Sequence, residues 1–374
     1  MGSPAVAGSA DSEPLPVVII GAGPAGLALA FELRRRGVNF LLLEKGASAG
    51  DSWAKMPRQM NLASPWQANF LPGTDPGLHR KNSEMSRSDY LDYLLNYARR
   101  SDLPIRTHTK VQSVSKMADG EFLLQTSSGP LSVQAVVNAT GYFANPFVPN
   151  IPGMTDSTIP RLHFADYSDP DTLRSLAGKP NSLVLIVGKR LSAGQLMVEL
   201  YQAGFHLAVS HRSPIQYGPG PVMWWLFFRI FPQLERLKLA LNGSRASGPD
   251  VRMAGGTAMK LIKSGRVPTF PVISRFEGNA VLFADNQRLQ PDVVLFATGF
   301  RPALGHLASL NVSTLPENGT PRLRDLESVS VSGLYFLGLD RGRNFQSRFI
   351  RGIRNDARFL AERLEKKFLP AKRT

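Results

Sequence analysis

The sequence predicts an α/β fold made of two Rossmann-like domains, one inserted into the other. Two segments, 17–44 and 182–212, each have the order strand, glycine turn, helix, strand. Two apolar strands also end in the same tripeptide, Ala-Thr-Gly, at 139–141 and 297–299. The length of 374 residues suits two domains of roughly 150 residues each.

The first segment contains a complete dinucleotide-binding fingerprint. The apolar run 17–20 predicts a strand buried on both faces, and Gly21-Ala22-Gly23-Pro24-Ala25-Gly26 follows it. The first glycine permits a tight turn, the second a close approach of a pyrophosphate, and the third close helix packing. Glu44 follows the strand 40–43, where a carboxylate can accept hydrogen bonds from a ribose. This segment therefore predicts a site for the ADP half of a dinucleotide.

The second segment has an altered fingerprint. Gly188 keeps the first glycine, but Arg190 replaces the second and Ala193 the third. His211 stands where the acid is expected, and Arg212 follows it. A missing carboxylate beside an arginine favours the 2′-phosphate of NADPH. The alternative is a vestigial unit that binds no nucleotide.

The remaining elements complete the predicted organisation. A helix is expected over 87–100, a β-rich stretch over 105–137 and a basic amphipathic helix over 347–367. We predict a flexible arm at 1–16, a first domain from 17–165 and 285–374, and a second domain at 166–284.

An apolar insertion is predicted at 217–241 in the second domain. Residues 222–228 are seven consecutive apolar residues, four of them aromatic, and are too few to span a bilayer. A buried helix, the lining of an apolar substrate channel, a dimer interface and contact with a membrane surface all fit this composition.

Composition excludes several classes of protein. The chain has no cysteine, which excludes a disulfide scaffold, a cysteine zinc site and a redox-active dithiol. Its six histidines form no HExxH motif, so no metal site is predicted. The net charge of +15 comes without a nucleic-acid-binding motif, so nucleic acid is not an expected partner. Two anionic dinucleotides explain part of this charge, and solubility or an anionic membrane explains the rest.

Together these residues resemble the flavoproteins with two dinucleotide-binding folds, and within them the flavin-containing monooxygenases and their bacterial relatives. The similarity rests on the first fingerprint, on Gly50-Asp51-Ser52-Trp53, and on both Ala-Thr-Gly strand ends. Pro149 to Gly153 and Arg351-Gly352-Ile353 extend it. The resemblance implies an FAD-binding domain (17–165 and 285–374) that carries an inserted NAD(P)H-binding domain (166–284).

The resemblance also implies cofactor contacts. Residues expected to hold FAD are Gly21, Gly23, Pro24, Ala25, Gly26, Glu44, Lys45, Asp51, Ser52, Trp53, Val111, Ala139, Thr140, Gly141, Thr298, Gly299 and Asp340. Residues expected to face NADPH are Gly188, Arg190, Ser192, Ala193, His211 and Arg212. Asp340 stands one residue away from the usual Gly-Asp pair of such folds, because Leu339 separates it from Gly338.

The implied reaction is an oxygenation. NADPH would reduce FAD, and the reduced flavin would form a peroxyflavin with O₂ and oxygenate a small apolar substrate. Asn61, Ser64 and Gln67 are the candidate polar groups over the flavin, and ordinary loop polarity is the alternative explanation for them. Two alternatives are kept: a flavin reductase without oxygen transfer, and a flavin-binding partner protein with a decayed NADPH site.

The sequence contains no recognisable signal for secretion or for insertion into a membrane. The first 16 residues have neither the basic nor the apolar region of a secretory signal, and no apolar run reaches the roughly 18 residues of a membrane-spanning helix. We therefore expect a cytoplasmic protein. Peripheral contact with a membrane and a homodimer both stay open.

Overall fold

A computed structural model describes residues 15–74, 84–218, 252–253 and 255–369. Residues 1–14 of the predicted arm and residues 219–241 of the predicted apolar insertion lie outside the described residues. Leu15 and Pro16, which the prediction placed in the arm, already belong to a strand. The helices of the described part are α1 (Pro24–Arg35), α2 (Asp51–Ala54), α3 (Arg87–Arg100), α4 (Pro170–Ala177), α5 (Leu191–Gln202), α6 (Thr257–Lys263) and α7 (Ile350–Phe368).

The first sheet is mostly parallel and has β1 near its centre. Along the sheet the strands follow the order β17-β18-β19-β8-β1-β2-β5, and β6 and β7 form an antiparallel extension from β8. The bounds are β1 (Leu15–Ile20), β2 (Phe40–Leu43), β5 (Ile105–Arg106), β6 (Val111–Lys116), β7 (Phe122–Thr126), β8 (Gly129–Asn138), β17 (Leu323–Arg324), β18 (Glu327–Ser328) and β19 (Leu334–Phe336).

The second sheet is parallel throughout. Its order is β12-β11-β10-β16-β9, with β10 in the middle. A small antiparallel sheet of β13, β14 and β15 and the pair of β3 and β4 complete the described strands. The bounds are β3 (Asn61–Pro65), β4 (Glu84–Ser86), β9 (Arg161–His163), β10 (Leu183–Val187), β11 (His206–Ser210), β12 (Thr269–Phe270), β13 (Ile273–Glu277), β14 (Ala280–Phe283), β15 (Arg288–Leu289) and β16 (Val293–Phe296).

The apolar run of β1 is explained by burial on both faces. Val17 and Ile19 belong to the core formed with α1 and α7, whereas Val18 and Ile20 belong to the core formed with β6 and β7. Each such buried aliphatic side chain contributes roughly 1.5–3 kcal/mol by leaving water. The predicted fold class, two Rossmann-like domains, is confirmed.

The structure corrects the predicted domain boundaries. Both β9 and β16 fall within residues assigned to the first domain, yet both pair in the second sheet. The 285 boundary was wrong because Ala-Thr-Gly at 297–299 ends a strand of the second sheet, just as 139–141 ends a strand of the first. β9 has only three residues and gives no pattern that a sequence could show.

Candidate functional site: two glycine loops

The first glycine loop lies at the carboxyl end of β1, between β2 and β8. Gly21 has a φ of +104°, and a Cβ there would lie 2.9 Å from the carbonyl oxygen of Ala139. A Cβ on Gly26 would lie 1.9 Å from the carbonyl oxygen of Gly21. These two glycines are therefore required by the packing of the protein itself.

Gly23 differs, since the protein alone does not require a glycine there. Its φ is −80°, which any residue adopts, and a Cβ there would meet no protein atom within 4 Å. α1 begins at Pro24, and no side chain caps it, whereas Ser86 caps α3. Amides at an uncapped helix start attract anions. Open space at Gly23 beside such a helix end fits a pyrophosphate.

Glu44 is fixed at the end of β2. It is 6% exposed, its Oε2 accepts from the Ala22 amide at 2.8 Å, and its Oε1 accepts from the Gly46 amide at 2.8 Å. Each carboxylate oxygen keeps a lone pair for a further donor, such as a ribose hydroxyl. Lys45 beside it is exposed. The contacts fit the ADP half of FAD.

The segment 50–53 lies directly on this loop. The Gly50 amide donates to the carbonyl of Ala22 at 2.9 Å, and α2 then carries Asp51, Ser52 and Trp53. Asp51 pairs with Lys55 at 2.5 Å. The Trp53 ring is 8% exposed, with its centroid 4.6 Å from that of Tyr90. The structure thus brings the three predicted residues to the FAD-type loop.

The three candidate catalytic residues lie on and just after β3. The main-chain carbonyl of Asn61 accepts a hydrogen bond of 2.9 Å from the side chain of Gln195 on α5. Ser64 donates to Asn69 Oδ1 at 2.7 Å, and Asn69, only 1% exposed, donates back to the Ser64 carbonyl at 2.8 Å. The side chain of Gln67 lies outside the described part of the structure. The hydroxyl of Ser64 therefore orients the side chain of Asn69, which holds the main-chain carbonyl of Ser64.

The two Ala-Thr-Gly tripeptides begin two crossing segments that join the sheets. Thr140 donates to the carbonyl of Ala303 at 3.1 Å, and Thr298 donates to the carbonyl of Phe147. The amide of Phe147 in turn donates to the carbonyl of Gly299 at 2.9 Å. Together with the Ala303 amide, which donates to Gly141, these bonds make the crossings one antiparallel ribbon.

A buried polar pair at the end of β8 was missed by the sequence. Asn138 is 1% exposed, and its Oδ1 accepts from Thr140 at 3.2 Å and lies 2.9 Å from His306 Nε2. Burial, and secondarily Lys45, lowers the pKa of His306 to about 4, so the ring is neutral at physiological pH. The Nδ2 of Asn138 stays buried without a hydrogen-bond partner in the protein.

Two further predicted cofactor residues lie around the first sheet. Val111 starts β6, is 7% exposed and is paired with Thr126. The Asp340 amide donates to the hydroxyl of Tyr142 at 2.6 Å, and Arg348 lies 3.7 Å from its carboxylate. Burial is the largest cause that raises the pKa of Tyr142 to about 12, so its hydroxyl stays protonated.

The second glycine loop lies at the carboxyl end of β10, between β11 and β16. A Cβ on Gly188 would lie 2.5 Å from the carbonyl oxygen of Ala297, as one on Gly21 would lie against Ala139. Arg190 precedes α5 with φ −108° and ψ −166°, close to Gly23 with −80° and −172°. Arg190 is exposed and costs the loop no backbone strain. The altered loop therefore keeps the extended backbone of the complete one at this position.

The other predicted nucleotide residues surround this loop. Ser192 and Ala193 open α5, which no side chain caps, and Ala193 is fully buried. His211 is half-buried with its Nδ1 unpartnered, while Arg212 is exposed. Among the described residues no carboxylate, histidine or cysteine group has an arrangement that could hold a metal ion. No described helix is long and apolar enough to cross a membrane.

This fold, with two parallel sheets and a glycine loop on each, defines a flavin-dependent oxidoreductase. The model of the pyridine nucleotide-disulphide oxidoreductase family matches residues 18–338, and the chain belongs to that family. Its lack of cysteine separates it from members that use a redox-active disulfide.

Curated relatives cover most of the chain. An uncharacterized CzcO-like oxidoreductase of Geobacillus kaustophilus (strain HTA426) is 30% identical over 358 residues, which span 92% of this chain and 96% of the relative. A probable indole-3-pyruvate monooxygenase of Arabidopsis thaliana is 29% identical over 320 residues, or 76% of this chain and 74% of that protein.

Among solved structures, a flavin-containing monooxygenase from Stenotrophomonas maltophilia shares the fold. The TM-score is 0.77 at 24% identity, and the match covers 95% of this chain and 99% of that one. The predicted family resemblance and the class of enzyme are confirmed, and family membership implies FAD and NAD(P)H as cofactors.

Proposed function

We propose that this protein is an FAD-dependent, NADPH-preferring monooxygenase that oxygenates a small apolar organic substrate. The observation that carries the proposal is the pair of uncapped glycine loops, one ending at the carboxylate Glu44 and the other near the basic residues His211 and Arg212. A carboxylate suits the unphosphorylated ribose of FAD, and a basic strand end suits a 2′-phosphate.

The first loop would hold the ADP half of FAD. Amides at the start of α1 would bind the pyrophosphate across Gly23, and Glu44 would accept from the ribose. Trp53 would lie against the flavin ring, and Asp340 would contact the ribityl chain from the crossing segment at Tyr142. When bound, FAD supplies the transfer of two electrons and the activation of O₂.

The second loop would hold the pyrophosphate of NADPH. The start of α5, with Ser192, would bind it, and Arg190 on the exposed side would add positive charge. The Gln195 to Asn61 hydrogen bond supports an approach of the nicotinamide to the flavin, because it ties α5 to the segment that carries the catalytic candidates. Asn61 and Gln67 are the residues proposed to stabilise the negative charge that develops over the flavin during the reaction.

The substrate class rests on composition. Residues 222–228, which lie outside the described part, have the apolar and aromatic composition that would suit a channel for an apolar substrate. Peripheral contact with a membrane and a homodimer interface are the alternatives that the same composition fits.

The test is a turnover experiment with labelled O₂. FAD-loaded protein receives NADPH and a small aryl methyl sulfide, a soft nucleophile whose sulfur can take up one oxygen atom, and the product is analysed by mass spectrometry. We expect sulfoxide carrying the label. NADPH consumption with only hydrogen peroxide as product would support the flavin-reductase alternative, and no NADPH consumption would support a decayed nucleotide site. The variants Trp224→Ala and Trp225→Ala should lower product formation without loss of FAD if the apolar segment lines the channel.

A further inference from the structure

Lys189 and Ser213 link the second glycine loop to the strand beside it. Lys189 Nζ donates to Ser213 Oγ at 2.7 Å and lies 3.5 Å from the carbonyl oxygen of Pro214. In the first unit, the residue after the first glycine is Ala22, whose amide donates to Glu44. Both units therefore join the residue that follows the first glycine to the segment just after the second strand.

The two links can be compared because both loops make the same main-chain hydrogen bond to the neighbouring strand. The Gly21 amide donates to the carbonyl of Leu43 at 2.7 Å, and the Gly188 amide donates to that of Ser210 at 3.0 Å. Leu43 ends β2 and Ser210 ends β11, so both loops are fastened to the neighbouring strand at the same point.

The charge at this point is opposite in the two units. The first link ends in a carboxylate, which accepts from ribose hydroxyls and repels phosphate. The second link begins in an ammonium group, and its acceptors among the described residues, Ser213 Oγ and the Pro214 carbonyl, are both neutral. Neither of these acceptors is a carboxylate, so the ammonium group of Lys189 is open to an anion beside the strand end.

Ser213 adds a second donor at the same place. Its Oγ accepts from Lys189, so its own proton can donate to a neighbouring oxygen. Arg212, the residue before it, is exposed. An ammonium group and a hydroxyl donor thus meet just after β11, in the segment that also carries Arg212, where the first unit has one carboxylate.

We propose that Lys189 is a specificity-determining residue that recognises the 2′-phosphate of the adenosine end of the second dinucleotide. The proposal deepens the proposed function and rests on it. Arg190 and Arg212 follow from the altered fingerprint, whereas Lys189 occupies a position that the fingerprint leaves unspecified. Only the structure brings its ammonium group to the strand end.

The test compares two ligands that differ by one phosphate. Binding of 2′,5′-ADP and of 5′-AMP to the FAD-loaded protein is measured by calorimetry for the wild type and for Lys189→Met. We expect the wild type to prefer 2′,5′-ADP. Lys189→Met should weaken 2′,5′-ADP binding by roughly ten- to a hundredfold, as for loss of a charged hydrogen bond, and should change 5′-AMP binding by less than about threefold.

Three further variants separate charge from structure. Lys189→Gln keeps a donor to Ser213 without the charge and should weaken 2′,5′-ADP like the methionine variant. Lys189→Arg should retain most of the preference. Lys260→Met removes an exposed charge from α6 and should leave the preference in place. Flavin content and melting temperature report whether each variant folds.

Two results would overturn the inference. One is a preference for 2′,5′-ADP that persists in both Lys189→Met and Lys189→Gln. The other is a wild type that binds the two ligands equally. If NADH and NADPH then both still reduce the bound FAD, the proposed oxidoreductase function stands while the role of Lys189 fails. If neither reduces it, the proposed function fails as well.

Discussion

Gln195 Nε2 donates a hydrogen bond of 2.9 Å to the main-chain carbonyl of Asn61, although the two residues are 134 positions apart. Gln195 lies in the first two turns of α5, and Asn61 begins β3. This bond connects the helix behind the second glycine loop to the segment that carries the candidate catalytic residues. It therefore links nucleotide binding to the place where chemistry is proposed.

Removing this bond should slow flavin reduction more than it weakens nucleotide binding. Gln195→Ala takes away one neutral hydrogen bond, worth about 1 kcal/mol, which corresponds to roughly a fivefold slower reduction by NADPH. Stopped-flow absorbance gives the reduction rate and the apparent dissociation constant separately. Gln202→Ala, at the exposed end of the same helix, is the matched control. A change in dissociation constant with no change in rate would contradict this role.

Substitution by alanine should have different effects at the second and the third glycine of the first loop. Gly26→Ala would place a Cβ 1.9 Å from the Gly21 carbonyl, so we expect a lower melting temperature even without cofactor. Gly23→Ala meets no protein atom within 4 Å and should fold normally, yet lose FAD, because its Cβ would occupy the approach of the pyrophosphate. Melting curves of the apoproteins and FAD titrations measure both effects. Full FAD affinity in Gly23→Ala would show that the pyrophosphate lies elsewhere.

Glu44→Gln should lower FAD affinity with little effect on the second loop. The side-chain amide of the glutamine keeps one oxygen acceptor, but its NH₂ group must face the main-chain N–H of either Ala22 or Gly46. Two donors then face each other. A buried mismatch of this kind costs about 1–3 kcal/mol, so FAD should bind roughly ten- to a hundredfold more weakly. Fluorescence titration with FAD measures the loss. Glu317→Gln, on an exposed loop, serves as the control.

Local patterns predicted the fold well, because the strands, glycine turns and helices that define it are continuous in sequence. The helix predicted over 87–100 has those bounds in the structure, where Ser86 and Asp89 form a capping box. The helix predicted over 347–367 instead begins at Ile350, because Phe349 is still extended.

The site was predicted less completely, since several of its contacts join distant segments. The fingerprints identified both loops and the opposite character of their strand ends. Asn138 with His306, and Gln195 with Asn61, were missed because each pair is more than 100 residues apart. Asn69 was missed because an asparagine in a loop gives no sign that it holds Ser64. The contact between Lys189 and Ser213 was missed as well, because only the folded loop brings the two side chains together.

Asp356 makes stability depend on pH in an unusual direction. It is 2% exposed on α7, with Arg343 3.6 Å away, and burial raises its pKa to about 6. The folded protein thus binds this proton more tightly than the unfolded chain, whose aspartates titrate near 4. Its contribution to the free energy of unfolding therefore falls as pH rises from about 4 to about 6, by up to about 3 kcal/mol.

Melting curves of the wild type and Asp356→Asn between those pH values check this direction. The stability of the variant relative to the wild type should increase as pH rises, and Asp92→Asn on the exposed side of α3 should show no such trend. A constant difference between the wild type and Asp356→Asn across the range would mean that Asp356 is ionised throughout.

The central claim is that the two loops hold two different dinucleotides, with electrons passing from the second to the first. The most direct measurement is to mix FAD-loaded protein with one equivalent of NADPH in the absence of O₂ and follow the visible flavin absorbance. We predict that the absorbance is bleached by one equivalent, and more slowly by NADH at the same concentration. Retention of the oxidised flavin spectrum with both nucleotides, in protein that binds FAD, would contradict the account.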